Sequence, residues 1–177
     1  MLKRLEAEGL IKRGARKEAL LTTSGRERAE RVVRKHRIIE RLLTDFMGYT
    51  AYEAHERADE LGDTFSDEMV DRIDDKLGHP ERCPHGWPVD TDVEQEENAE
   101  LAPLASLAPG TRATIVRLAE HDGELLHWFY DHGFVPGAPV ELRSAQPAVG
   151  QLTVRLGDAE REIAEKAAAG LFVRRPA

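Results

Sequence analysis

The chain has 177 residues, a formal net charge of −8, and 33% charged and 41% hydrophobic residues, the balance of a globular chain long enough for one large or two small domains. Its single cysteine, Cys83, excludes an internal disulfide framework and suits a reducing cytosol, and no apolar run approaches the roughly 18 residues of a membrane span. The charge is divided: residues 1–41 hold 13 Lys and Arg against 6 Asp and Glu, and the remainder carries −15, which fits a phosphate-facing segment on an acidic body or simply a basic solvated helix face.

The opening MLKRLEAEGLIKR lacks the apolar core of a secretion signal and reads as the end of a helix stopped at Gly9. Ile11–Arg13 and 19–22 are short strand-like runs around the basic tip GARKE, a small hairpin. Helix, glycine, hairpin and then a new helix is the order of a winged helix-turn-helix, with only the last turns of its preceding helix in the sequence. Ser24 with Glu27 reads as a capping box opening a long helix to about Met47, with Ala29, Val32, Val33, Ile39, Leu43 and Phe46 as its apolar stripe. Thr50 with Glu53 opens a second helix to about Leu61, and Ser66 a third whose stripe is Val70, Ile73 and Leu77. HPERCPHGWP is turn-rich, and the acidic, nearly apolar-free PVDTDVEQEENAE marks a linker. Beyond Leu101 the pattern predicts strands at Arg112–Leu118, Val140–Arg143, Leu152–Leu156 and Leu171–Arg174. It also predicts a short helix from Glu124 to His132, the whole forming a small β-barrel.

Two histidines fall among helix-core positions, each with a carboxylate one turn on: His36 before Glu40, and His55 before Asp59 and then Asp63. Residues four apart share a helix face, so each pair can offer nitrogen and oxygen to one cation. A lone buried histidine is usually only hydrogen-bonded, but unpartnered burial of four polar groups would cost on the order of 1–3 kcal/mol each. A shared divalent ion satisfies them together. The donor set favours Mn²⁺ or Fe²⁺, with Zn²⁺ also suited. Asp59 and Asp63 read equally as a solvated face. Cys83 and His85 in RCPHGWP read as a packed turn rather than ligands. No nucleophile triad, phosphate loop or HExxH motif is present, so catalysis is not expected.

The run GLIKR…LLTTSGRERAERVVRKHRIIERLLTDFMG, the helix around His55, the stretch SDEMVDRIDDKLGHPERCPHG and the C-terminal strands together resemble the diphtheria-toxin-repressor family of iron- and manganese-dependent regulators. The resemblance implies an α+β chain. Residues 1–23 would be the remnant of a winged-helix DNA-binding domain, and 24–87 a helical metal-binding and dimerisation domain. An acidic linker would occupy 88–100, and an SH3-like, FeoA-type barrel 101–177. It places His36, Glu40 and His55 at the family's ancillary metal site, with Asp122, or else Glu124, as the acidic residue supplied by the barrel. The family's regulatory site falls on Asp59, Gly62 and Asp63. Asp59 keeps a carboxylate, Gly62 has no donor, and Asp63 stands where a histidine is usual, so that site is degraded or rearranged, with Glu60 a further donor. The sequence also opens inside the family's recognition helix.

The expected function is therefore metal-controlled DNA binding by a cytoplasmic homodimer, with no membrane or small organic ligand. Lys3, Arg4, Lys12, Arg13, Arg16 and Lys17 would face DNA, and Val70, Ile73 and Leu77 would form the dimer contact. The alternative is a metal-sensing or protein-interaction module without sequence-specific DNA binding.

Overall fold

The computed structural model describes residues 1–176. Helix α1 (Leu2–Ala7) leads into a hairpin of β1 (Ile11–Arg13) and β2 (Ala19–Leu21), paired antiparallel. The hairpin is joined directly to the long helix α2 (Thr23–Asp45). Thr22 caps α2 by accepting from the Gly25 amide, and its own hydroxyl donates to the Gly9 carbonyl. The expected cap, Ser24, lies two residues further on, inside the helix, and also reaches Gly9. A Cβ on Gly25 would sit 1.9 Å from the Leu10 carbonyl oxygen, so only glycine lets the helix press against the hairpin this closely.

Helices α3 (Ala51–Leu61) and α4 (Asp67–Leu77) begin at the anticipated caps, Thr50 with a complete capping box to Glu53, and Ser66. Gly78 ends α4 in the left-handed region at φ 75°. Ile39 and Leu43 of α2 pack on Ala54 and Ala58 of α3, whose small side chains permit close approach, while Ile38 packs on Val70 of α4 and on Val89. Two members of the expected α2 stripe, Val32 and Phe46, are exposed instead. The expected dimer contact needs a similar correction: Val70 is only 1% exposed, buried within its own protomer against Ile38.

The acidic segment expected to be a linker is ordered structure. Asp90 caps helix α5 (Thr91–Glu97), and Glu97 is buried at 6% exposure. Arg82 grips Glu97 with two hydrogen bonds of 3.0 and 2.7 Å, and Arg117 and Arg174 of the barrel also donate to it. Arg117 is itself 1% exposed, with its guanidinium 4.9 Å from the Trp87 ring centre. The rest of α5 is largely exposed, so its low apolar content reflects a solvated helix anchored through the one buried carboxylate, Glu97.

The C-terminal unit is one six-stranded antiparallel sheet in the order β3-β8-β4-β5-β6-β7, an SH3-like arrangement. Its strands are β3 (Ala102–Pro103), β4 (Arg112–Leu118), β5 (Pro139–Gln146), β6 (Gln151–Leu156), β7 (Ala159–Ala164) and β8 (Leu171–Arg174). Helix α6 (Gly123–Asp131) closes one side with Leu126 and Phe129, and α7 (Glu165–Ala168) precedes β8. β3 and β7 carry no strand pattern in the sequence. β7 is an edge strand that buries only Ile163, so it shows no apolar alternation.

Three arginines outweigh the burial of Glu97 and hold its carboxyl down at about 2. A depressed carboxyl contributes stability present above its unfolded value near 4.5, lost as pH falls towards about 2. Glu97→Ala leaves Arg117 buried without its anion and should cost on the order of 3–5 kcal/mol. In urea unfolding at pH 7 the midpoint should drop sharply, and the gap from wild type should narrow as pH falls from about 4.5 towards 2.

Candidate metal centre

The centre forms where α2, α3, the loop between α4 and α5, and the β4–α6 connection meet. Glu40 stands at its middle with 0% exposure. Its Oε1 lies 2.8 Å from His36 Nε2 and 2.8 Å from His55 Nδ1. These two ring nitrogens are themselves 3.2 Å apart. Helical spacing explains the first contact, since His36 and Glu40 are one turn apart on α2. The alanine-lined packing of α3 brings in His55. Glu40 Oε2 is buried and has no hydrogen-bond partner. Three donor atoms within 3.2 Å beside an unpaired carboxylate oxygen form a set that a divalent cation fits.

Asp59 is brought to this same centre: its Oδ1 lies 3.0 Å from His36 Nδ1. A proton on Nδ1 donated to Asp59 leaves the Nε2 lone pair facing Glu40, the arrangement by which a carboxylate orients a ligating imidazole. Asp63 is exposed beyond the end of α3 and is not part of this donor group. Asp59 thus lies against His36, and Asp63 stands apart from that contact.

Asp122 is exposed and caps α6 through the Leu125 amide, with Glu124 exposed in the following turn. The barrel carboxylate that reaches the centre is Glu120. Its Oε1 lies 3.6 Å from His85 Nδ1 and 3.5 Å from Cys83 Sγ. His85, expected to be an inert turn residue, is completely buried with Nδ1 3.3 Å from Glu40 Oε1. Its turn chemistry hid this: nothing in RCPHGWP shows that the loop lies against β4. A surface hollow beside the centre is lined by His55, Glu120 and His121 together with Trp87, Ala119 and Phe172.

Electrostatically the cluster is polarised. Burial disfavours the Glu40 anion, yet hydrogen bonds from His36, His55 and His85 overcome it and hold the carboxyl well below the usual range. Burial opposes protonation of His36, but Glu40 and then Asp59 raise its affinity for a proton. His85 is raised strongly, since contacts with Cys83, Glu120 and Glu40 outweigh burial. Burial pushes the Cys83 thiol up to about 12.

The basic residues of the hairpin lie at the opposite end of α2. Arg13 is engaged by Glu6 at 3.4 Å and Arg4 by Glu8 at 3.4 Å, while Lys3 is exposed on α1. Lys12, Arg16 and Lys17 are exposed, and among the described residues their side chains make no ion pair.

Comparison with known proteins agrees with this architecture. Residues 22–91 match the model of the iron dependent repressor metal binding and dimerisation domain, and residues 102–175 match the FeoA domain. The chain is 32% identical over 154 residues to the iron-dependent repressor IdeR of Mycobacterium leprae, covering 80% of this chain and 67% of that one. A manganese-dependent transcriptional repressor solved in complex with manganese superposes with a TM-score of 0.87 at 28% identity, covering 99% of this chain and 82% of that one. The repressor ScaR with bound Zn²⁺ gives 0.83 at 26% identity, covering 99% and 87%. Two matched domains in the same order, over a shared fold, place this chain in the diphtheria-toxin-repressor family of iron- and manganese-dependent regulators.

Proposed function

We propose that this protein is a cytoplasmic, homodimeric transcriptional regulator that binds DNA under control of a divalent metal, Mn²⁺ or Fe²⁺, held by His36, Glu40 and His55. It acts by binding rather than catalysis. The observation that carries the reading is the buried Glu40 carboxylate facing two imidazoles, one from each neighbouring helix, with its second oxygen unpaired. Helix α2 supplies the mechanical link. It runs unbroken for 23 residues from the hairpin to the dimer region, on the order of 34 Å at 1.5 Å per residue. The hairpin is fastened to its first turn by the Thr22 bonds and the Gly25 contact. An ion that fixes α2 against α3 therefore fixes the direction of the wing, where Lys12, Arg16 and Lys17 contact phosphates.

The partner surface for a second copy is the apolar groove of Leu42 and Phe46 on α2 with Ile73 and Leu77 on α4. Phe46 is 67% exposed there, next to exposed Met47. An unpartnered aromatic beside an aliphatic groove fits a two-fold interface between identical chains. In sedimentation at micromolar concentration the protein should be a dimer, and Phe46→Asp or Ile73→Asp should give monomers. A wild-type monomer in the presence of Mn²⁺ contradicts this reading.

Metal binding adds stability by mass action, about 2.7 kcal/mol at a hundredfold excess over the dissociation constant. Mn²⁺ should raise the melting temperature, and His36→Ala/His55→Ala should remove that Mn²⁺-dependent rise. Asp59→Ala should weaken Mn²⁺ affinity about 10–100-fold without abolishing it. Because the metal displaces a proton held unusually firmly by His36, affinity should fall on acidification, starting above the ordinary histidine value of 6.5. An undiminished rise in the double variant contradicts the assignment.

For the wing, Lys12→Ala/Arg16→Ala/Lys17→Ala should weaken duplex binding and flatten its salt dependence by roughly one to three in logarithmic slope. An unchanged slope in a gel-shift salt series removes these residues from the interface.

A further inference from the structure

We propose that an acid-rimmed trough between α2, α4 and α5 receives the basic wing of a second copy of this chain, so that DNA and a neighbouring molecule compete for the same cations. The competition rests on reading the hairpin as a phosphate-contacting wing. Two hollows of about 460 and 450 Å³ meet at Val89 and Asp90, which line both. One runs between the end of α4 and α5, over Pro80, Pro88 and Val93, and the other along the first half of α2, past Glu27 and Glu30. Val93 is 43% exposed, the one large apolar side chain on an otherwise polar helix. Among the described residues Glu27, Glu30 and Glu81 on the rim make no ion pair. The rim guanidiniums are largely taken, Arg34 by Asp71 and Asp74 at 2.9 and 2.8 Å and Arg82 by Glu97 at 2.7 Å. That leaves these three glutamates and Asp90 facing the cation of Arg31, an apolar floor under a negative rim.

The wing has the complementary chemistry. Lys12 and Leu20 are partners in the register of β1 and β2, so their side chains leave one face of the hairpin together, Lys12 exposed and Leu20 41% exposed. Arg16 and Lys17 stand at the tip. The Arg16 amide donates to Glu18 Oε2 at 2.8 Å and Arg13 Nη1 to the Lys17 carbonyl at 3.3 Å, which holds the tip in shape. A cationic tip with an apolar flank matches an apolar floor with an anionic rim, and such complementarity selects the partner and its register.

The wing that enters comes from another molecule. A protomer's own hairpin is pinned to the start of α2 by the Thr22 bonds and the Gly25 contact, and Glu27 and Glu30 follow along the same continuous helix. To reach them it would have to fold back across its own joint. The trough is also separate from the groove of Phe46 and Ile73, since Glu30 precedes Phe46 by about 24 Å along α2 at 1.5 Å per residue. Each protomer carries one wing and one trough, so two dimers can exchange wings about a two-fold axis. DNA phosphates draw on the same Lys12, Arg16 and Lys17, so a bound duplex empties the trough. Exposed charge pairs are screened by salt, with a Debye length of about 10 Å at 0.1 M, so the contact is strongest in low salt.

The test is sedimentation velocity of the full chain with Mn²⁺ in low salt, over a series of protein concentrations. A concentration-dependent species of twice the dimer mass should appear, and high salt or saturating duplex should remove it. Lys12→Glu/Arg16→Glu/Lys17→Glu should abolish it. Glu27→Lys/Glu30→Lys/Glu81→Lys should abolish it as well, with duplex binding no weaker than in wild type. An equimolar mixture of the two variants should associate again, because each reversed wing then meets a reversed trough and each native wing a native one. Circular dichroism confirms that both variants are folded. Phe46→Asp should leave a wing-dependent association, now between monomers, which separates this contact from the dimer groove. If the wing variant binds duplex as wild type does, the phosphate-contact reading fails while sedimentation still decides the trough. Absence of any low-salt association, association that survives either triple variant or saturating duplex, or a mixture that stays apart overturns the proposal.

Discussion

A single buried carboxylate organises this protein. Glu40 has no exposure, yet three imidazoles from three separate parts of the chain converge on one of its oxygens. Removing that anion would leave His36 Nε2 and His55 Nδ1, 3.2 Å apart, facing each other's proton or lone pair in a low-dielectric interior. Keeping it draws α3 against α2 and draws the CPHG loop in behind them. An ion that meets the unpaired oxygen stabilises a single packing of these elements, and packed helices shift between discrete arrangements rather than deform continuously.

The second constraint is the seam between the helical unit and the barrel. Glu97 takes arginines from the loop and from two barrel strands, while Trp87 receives Arg37 and Arg117 over its ring. Arg37 also donates to the Pro88 carbonyl at 2.6 Å and pairs with Glu94 at 2.7 Å. The barrel is thus held by charge pairing on one side and, through Glu120, reaches the metal centre on the other. Such a seam is firm at neutral pH and sensitive to acid. Events at Glu40 can therefore reach the barrel through the loop as well as the wing through α2.

Much of this could be read from residue patterns, and the failures have physical causes. Helix starts at Thr50 and Ser66 and strands β4 and β8 follow local rules, so they were legible. His36, Glu40 and His55 were legible because helical spacing and apolar neighbours put them on buried faces. His85 and Glu120 were not, because their place depends on a loop docking against a strand more than thirty residues away. Asp122 lies two positions from Glu120 and stands just before a helix, where an aspartate is more often a cap than a ligand. The α5 segment misled for a different reason. Its acidity reads as solvation until the arginines that bury Glu97 are known, and those come from residues 82, 117 and 174. Val70 shows the limit of periodicity, which finds a buried face but does not say whether that face is covered by its own chain or by a second copy.

The central claim is the position of the ion at Glu40, and anomalous X-ray scattering tests it most directly. Crystals grown with Mn²⁺, with data collected on either side of the manganese absorption edge, should show an anomalous peak bounded by His36 Nε2, His55 Nδ1 and the Glu40 carboxylate, at coordination distance from all three. A fully loaded crystal with no peak there, and with its manganese held elsewhere on the chain, would contradict the account.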